Sequence, residues 1–236
     1  MKDLYVFTTN KAASMLLYEL AKPICRRAHI PFWSINDGTF PEKGLVEDPN
    51  AFDGKEGCFC PLRYYTDVPN IDESDIILHL RDPRDVITSQ FFSLAYSHPP
   101  VGGFNPSDAQ REEWREAGID EHAHKHADRW VKRYKDYCDN VLGRPNTTFL
   151  RYEDMVTDFP TWLEQFIAPF PVTRKDGLVR KYARKYRRNF EVGPEDVYRH
   201  KRQVTPGDHK RKLQPDTIAF LNDKFAAILP ALGCEP

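Results

Sequence analysis

No stretch of this 236-residue chain stays apolar long enough to cross a bilayer, so a membrane-spanning helix is not expected. Two residues precede Asp3, which leaves no room for a secretory leader, and none is expected. Cysteine is scarce and scattered. There are five, an odd number; Cys58 and Cys60 are the one close pair, and no second pair completes a zinc site. Free thiols in a reducing cytoplasm are the expectation. An excess of one charge sign is also missing. The formal net charge of −1 gives no overall pull toward nucleic acid or membrane, so any affinity for anions must come from local placement of charge. The first loop, "TTNKAASM", lacks the GxxxxGK[ST] pattern, which argues against an ordinary ATPase or kinase.

What is present reads as a globular α/β chain. Forty per cent hydrophobic and 29% charged residues suit a soluble fold, and the length suits one domain with a sizeable core. "LYVFT" (4–8) is a β-rich run followed by a turn. From Ser14, "SMLLYELAKPICRRA" puts Leu16, Leu17, Leu20 and Ile24 on a helical face, with Pro23 a point where the helix could kink or end. "HIPFWSI" (29–35) reads as a second strand. The Gly-, Pro- and Asp-rich stretch that follows reads as loop. "DIILHLRD" (75–82) is a continuous apolar strand of the kind found inside parallel sheets. A helix follows it, and then a long helical region broken near Gly118. "NTTFLRYED" (146–154) gives another strand, "PTWLEQFIAP" a short helix, 174–188 a very basic segment, and the tail an amphipathic helix. Strands alternating with helices imply a central parallel sheet flanked by helices.

Two motifs carry chemistry. A strand, a tight loop and a helix start make an anion site, because the first-turn N–H groups lack intrahelical partners and the helix dipole favours negative charge there. Lys11 would add a full charge, although by itself the pattern is better explained as an ordinary βα turn with a surface lysine. In "LHLRDPRDVITSQFF" the apolar strand ends on Arg81, where open α/β sheets bind ligands, and the returning helix carries Ser89. A guanidinium plus a hydroxyl suits a phosphate. An arginine that merely caps its own turn would look the same.

Together these segments resemble the sulfotransferases that use 3′-phosphoadenosine 5′-phosphosulfate (PAPS). "TTNKAASM" is similar to that family's 5′-phosphosulfate loop, "RDPRDVITS" to its 3′-phosphate motif, "FLRYEDM" to its strand ending in YED, and "RQVTPGDHKRKL" to its late RKGxxGDWK segment. The motifs occur in the family's order. The resemblance implies a P-loop nucleotide-kinase-like fold over a single sulfotransferase domain, 1–236. It implies sulfuryl transfer to a hydroxyl or amine of a small-molecule, carbohydrate or lipid acceptor, with 3′-phosphoadenosine 5′-phosphate (PAP) as product. No metal, nucleic acid or membrane span is called for.

Carried over by position, Lys11 would contact the bridging and sulfuryl oxygens, with Ala12, Ala13, Ser14 and Met15 around the 5′-phosphate. Arg81, Ser89 and Arg202 would hold the 3′-phosphate, and Tyr152 would meet the adenine. The resemblance departs at Ala13, where the family has glycine, at Leu16, where it has tryptophan, and at Gln203-Val204. It also departs at "GCFCPLRYY", where many members carry a catalytic histidine. Asp37, just after the second strand, is the candidate base, although turn chemistry in Asn-Asp-Gly alone explains its presence well. His98 and His122 are rivals. His122 and His126 share a helical face, but no third metal ligand is evident. A non-catalytic nucleotide-binding protein, a P-loop-like kinase, and an RNA- or membrane-surface module using the basic run are the competing readings.

Overall fold

The computed structural model describes residues 2–40, 50–98, 106–191, 193–199, 202 and 204–235. Five strands, β1 (Leu4–Thr8), β2 (Phe32–Trp33), β3 (Cys58–Leu62), β4 (Asp75–Leu80) and β5 (Thr147–Arg151), form one sheet in the order β2-β3-β1-β4-β5. Every pairing is parallel. β1 lies in the middle and is buried along its whole length, which is why it reads as five apolar residues without alternation. The chain leaves β1 toward β2 and β3 on one side and returns to β4 on the other. The carboxyl edge beside β1 is therefore the sheet's topological switch point, the place where open α/β sheets take ligands.

Helix α1 (Ser14–Ala28) follows β1 and buries Leu17, Leu20, Ala21, Ile24 and Cys25. Pro23 lies inside it and does not end it. The stop is His29, in the left-handed region at φ 55°, with Ile30 N–H donating back to Cys25 O at 3.0 Å. After β4, α2 (Pro83–Phe92) starts on Asp82, whose carboxylate accepts from Arg84 N, with Pro83 in the first turn. A π-helical segment, Ser93–Ser97, extends it. Next comes α3 (Asp108–Asn140), interrupted at Gly118 (φ 84°, ψ 170°) where the sequence predicted a break. After β5 come α4 (Tyr152–Thr157), α5 (Phe159–Ile167), α6 (Lys175–Tyr186), α7 (Asp208–Lys212) and α8 (Pro215–Lys224).

The second strand, expected over 29–35, is Phe32–Trp33 only, and the segment 58–62, which carries no strand pattern, is a central strand. Pro61 is the reason. It has no N–H to donate, and the β1–β3 register shifts between Tyr5, opposite Phe59, and Phe7, opposite Leu62, which leaves Pro61 outside the ladder. The strand expected over 146–154 ends at Arg151, and its YED continuation is helical.

The residues gather into two compact units. One holds the chain up to Arg81 with Asp136–Arg187, and so the whole sheet. The other holds Asp82–Lys135 and the chain from Arg188. The sequence places the acceptor pocket in two loop-rich stretches, 37–65 and 98–120, and parts of both lie outside the described residues.

Candidate active site

The loop after β1 is built on two left-handed residues, Lys11 (φ 67°) and Ala13 (φ 56°), on either side of the fully buried Ala12. A left-handed residue with a Cβ costs about 1–2 kcal/mol, and here two are held in one tight turn. The turn delivers the chain into α1 with Leu16 N–H bonded to Ala13 O at 2.8 Å. α1 has no acidic residue in its first turn, so nothing of its own offsets the positive end of its dipole. Ala13 holds a positive φ that glycine would adopt without penalty, so its methyl group is accommodated by strain.

Arg81 ends β4 on the neighbouring strand and is 5% exposed. Its Nη1 donates to Lys11 O at 3.2 Å, and its guanidinium lies 4.4 Å from the centre of the Tyr152 ring. The structure thus joins Lys11, Arg81 and Tyr152, three residues singled out in the sequence. Tyr137 supports the same edge, its hydroxyl donating to Thr8 O at 2.6 Å. Behind the loop, His79 is fully buried edge-on to Trp162. Burial pulls its pKa down to about 3 against weak contacts with the backbone of Ala12 and Leu150.

Arg63 was not singled out in the sequence. It follows the last residue of β3, and its Nε donates to Ser14 Oγ at 3.0 Å while Nη2 donates to Asn36 Oδ1 at 2.8 Å. Ser14 is buried and Met15 is exposed. Three adjacent strands, β3, β1 and β4, therefore each end in or lead to a cation: Arg63, Lys11 and Arg81. The available signal was an arginine directly after the apolar "CFCPL", obscured by Pro61.

Asp37 lies in the same unit and is heavily engaged. Thr39 Oγ1 donates to it at 2.7 Å, Lys22 Nζ at 2.9 Å and the Tyr18 hydroxyl at 3.4 Å. Partial burial raises its pKa, but the Thr39 and Lys22 bonds outweigh burial and hold it below the usual carboxylate value.

Ser89 and Arg202 belong to the second unit. Ser89 is half-buried on α2, one turn before Phe92. The Arg202 guanidinium lies 4.0 Å from the centre of the Phe92 ring and is paired with both Glu195 and Asp208. The late segment carrying Arg202 is tied to α2 through Asp85, which accepts from Gly207 N at 2.8 Å and His209 N at 2.9 Å and contacts His209 Nδ1 at 2.6 Å. Arg202 is therefore brought to the α2 turn that carries Ser89. In the same unit, His122 packs on Phe91 with the His126 ring 4.3 Å away, and burial first, then His126 and Lys125, lowers its pKa to about 3. His98 closes the π-helical segment, its N–H bonded to Ser93 O at 2.7 Å. No group of three or more potential metal ligands occurs among the described residues.

A parallel sheet whose switch point is lined by a strained loop, a helix start and three cations defines an α/β protein that binds a multiply charged anion. The sulfotransferase domain profile matches residues 72–227, and the chain belongs to the sulfotransferase family. The matched span includes Arg81, Ser89, Tyr152 and Arg202. Among solved structures, mouse sulfotransferase SULT7A1 complexed with PAP is similar over 97% of this chain and 84% of its own, with 16% identity and a TM-score of 0.61, which shows a shared fold. Retinol dehydratase in a complex with retinol and PAP follows at 13% identity, 97% and 82% coverage and a TM-score of 0.49. The sulfotransferase from Alicyclobacillus acidocaldarius follows at 17%, 98% and 94%, with 0.45. No curated protein matches the sequence. The protein is a sulfotransferase.

Proposed function

We propose that the whole chain works as one sulfotransferase, moving the sulfuryl group of PAPS to an acceptor hydroxyl at the carboxyl edge of β3, β1 and β4. The observation that carries this reading is the set of cations on those three neighbouring strand ends, Arg63, Lys11 and Arg81, around the start of α1. These residues suit a nucleotide bearing a phosphosulfate and a further phosphate. PAPS supplies an activated sulfur whose bond to the bridging phosphate oxygen breaks as the acceptor oxygen attacks.

In this reading Lys11 and the α1 amides offset the charge that collects on the leaving phosphate. Arg63, fixed by Ser14 and Asn36, orients the sulfonate from the β3 side. Arg81 and Tyr152 form a stacked wall for the nucleotide; in the other unit, Ser89 and Arg202 are chemically suited to a phosphate. Asp37 is ionised throughout the neutral range and accepts the acceptor's proton. Its bonds to Lys22 and Thr39 make it a weak base, so it assists the reaction modestly. The acceptor is a hydroxyl-bearing small molecule, carbohydrate or lipid. Cys25, Cys58 and Cys60 carry free thiols, which supports a reducing, cytoplasmic setting, and no helix among the described residues is long and apolar enough to cross a membrane.

The test measures turnover and PAP affinity on the same variants. Lys11→Ala and Arg63→Ala should each lower turnover by roughly a hundredfold, the effect of removing one preorganised charge stabiliser, with a smaller loss of PAP affinity. Asp37→Asn should lower turnover about tenfold or more and leave PAP binding unchanged. Normal turnover in Lys11→Ala would overturn the reading.

A further inference from the structure

Two cations of the second unit share one internal carboxylate, that of Glu195. Glu195 lies on a stretch without helix or strand, where Asp196 N–H donates to Arg202 O at 3.3 Å and so lays Glu195 beside Arg202. Its two oxygens go to different partners. Oε1 accepts from Arg202 Nη1, and Oε2 accepts from Lys212 Nζ at 2.7 Å. Both cations stand over one ring, the Arg202 guanidinium 4.0 Å and Lys212 Nζ 5.6 Å from the centre of Phe92. The ring attracts both without neutralising either. Phe92 follows Ser89 by three residues on α2, so the same side of that helix carries the serine hydroxyl.

Arg202 has one fixed partner and one exchangeable partner. Asp208, whose side chain is 2% exposed, pairs with Arg202 Nη2 and with Arg211 Nη2 at 3.3 Å, and it opens α7, which Asp85 ties to α2. The Glu195 side chain is 25% exposed and is held through Arg202 and Lys212. Partial burial raises its pKa, but the Lys212 and Arg202 bonds outweigh burial and hold it below the usual value, so it meets the two cations as a carboxylate. A partly exposed ion pair adds little stability, so its exchange costs little. Arg202, Arg211 and Lys212 set against Asp208 and Glu195 leave one positive charge, which becomes two when Glu195 leaves. A phosphate monoester, at about −1.5 to −2, is the anion that balances it. A guanidinium fork takes a carboxylate or a phosphate by the same two-oxygen geometry.

We propose that Arg202 and Lys212 together form a phosphate seat, that Glu195 is its internal stand-in, and that a nucleotide phosphate binds by displacing Glu195. Lys212 is then a binding residue beside Arg202, and Glu195 is a competitor that limits affinity. The assignment of that phosphate as the 3′ group of PAPS and PAP rests on the sulfotransferase reading given above.

The experiment is calorimetry of the full chain and of Glu195→Gln, Glu195→Ala and Lys212→Gln with PAP, AMP and ADP. ADP adds its charge on the 5′ side, so it reports any general effect of altered net charge, and retained AMP binding shows that each variant is folded. Glu195→Gln should bind PAP about threefold or more tighter than wild type, and Glu195→Ala at least as tightly as Glu195→Gln, since alanine cannot bond Arg202 at all. Lys212→Gln should bind PAP about tenfold or more weakly, the loss of one charge-assisted contact. Affinities for AMP and ADP should stay within about twofold of wild type in all three, because the altered charge is screened from the 5′ groups. A carboxylate that merely orients Arg202 would give the opposite sign, so weaker or unchanged PAP binding in the two Glu195 variants would overturn the displacement. Unchanged PAP binding in Lys212→Gln, or gains for AMP and ADP equal to the gain for PAP, would overturn the seat. A wild-type chain that binds PAP no better than AMP would instead take the 3′-phosphate out of the sulfotransferase reading, and one that binds none of the three would overturn that reading itself.

Discussion

Two arginines three residues apart show how differently the same side chain is used. Arg81 sits at the strand end against Lys11 and Tyr152. Arg84, 1% exposed, is locked in the second unit by both oxygens of Asp82, by Asn222 at 2.5 Å and by Glu235 O at 2.6 Å. Arg84→Ala would leave the Asp82 carboxylate without its main partner and should destabilise the protein by about 3–5 kcal/mol, read from denaturant midpoints. A midpoint within 1 kcal/mol of wild type would contradict this. Arg202→Ala should act on binding instead, weakening PAP at least tenfold with little effect on AMP, because a charge-assisted contact to the 3′-phosphate is worth about 1.5–3 kcal/mol. Calorimetry with both nucleotides decides it, and equal losses would remove Arg202 from the phosphate site. The sequence made Lys11 and Arg81 legible because each lies within three residues of the end of a strand with a clear apolar run. It did not show the engagement of Asp37, since Lys22 and Tyr18 reach that carboxylate only when α1 packs beside β2.

Among the elements, β3 shows best where pattern reading stops. Its Pro61 and two cysteines carry neither alternation nor β-branched residues, yet it pairs with β1 because the strand itself takes an extra residue between Phe59 and Leu62, where proline has no N–H to donate. With the strand unread, the arginine at its end had no visible place. Entry into β3 depends on Gly57. Its φ is 125°, its N–H donates to Asp3 Oδ1 at 2.7 Å and its carbonyl accepts from Leu4 N at 2.9 Å. A Cβ there would lie 2.3 Å from Pro31 O. Gly57→Ala should therefore cost more than the about 1–2 kcal/mol of a left-handed residue, and β3 would shift and carry Arg63 away from Ser14. We expect a loss of at least about 2 kcal/mol in urea together with reduced turnover. A variant with wild-type stability would show that the β2–β3 entry tolerates displacement. The longer helices, by contrast, were legible in outline, since α1, α3 and α8 bury faces that recur at helical spacing.

At the scale of the molecule, two buried histidines set the response to acid. His79 and His122 lie in different units, and both are held neutral with pKa values near 3. The unfolded chain takes up a proton at each below about 6.5, whereas the folded chain does not until near 3, so stability falls as pH drops through that window. At pH 5 each site should cost about 2 kcal/mol, and sites this independent should add to about 4 kcal/mol. His122→Phe should remove about half of the fall between pH 7.5 and 5. A chain equally stable at both values would contradict the burial assigned to these rings. Activity on a soluble acceptor, in contrast, should stay level from pH 6 to 8 if Asp37 takes the proton, and a rise through that range would point to a histidine base instead.

The central claim is that one chain holds two phosphate-binding clusters, one around Lys11 and Arg81 and one at Ser89 and Arg202. Titration calorimetry of the full chain with PAP and with AMP tests it most directly, because the two ligands differ only in the 3′-phosphate. PAP should bind at least tenfold more tightly, equivalent to about 1.4 kcal/mol, with the advantage shrinking in Arg202→Ala. Equal affinity for the two nucleotides would contradict the account.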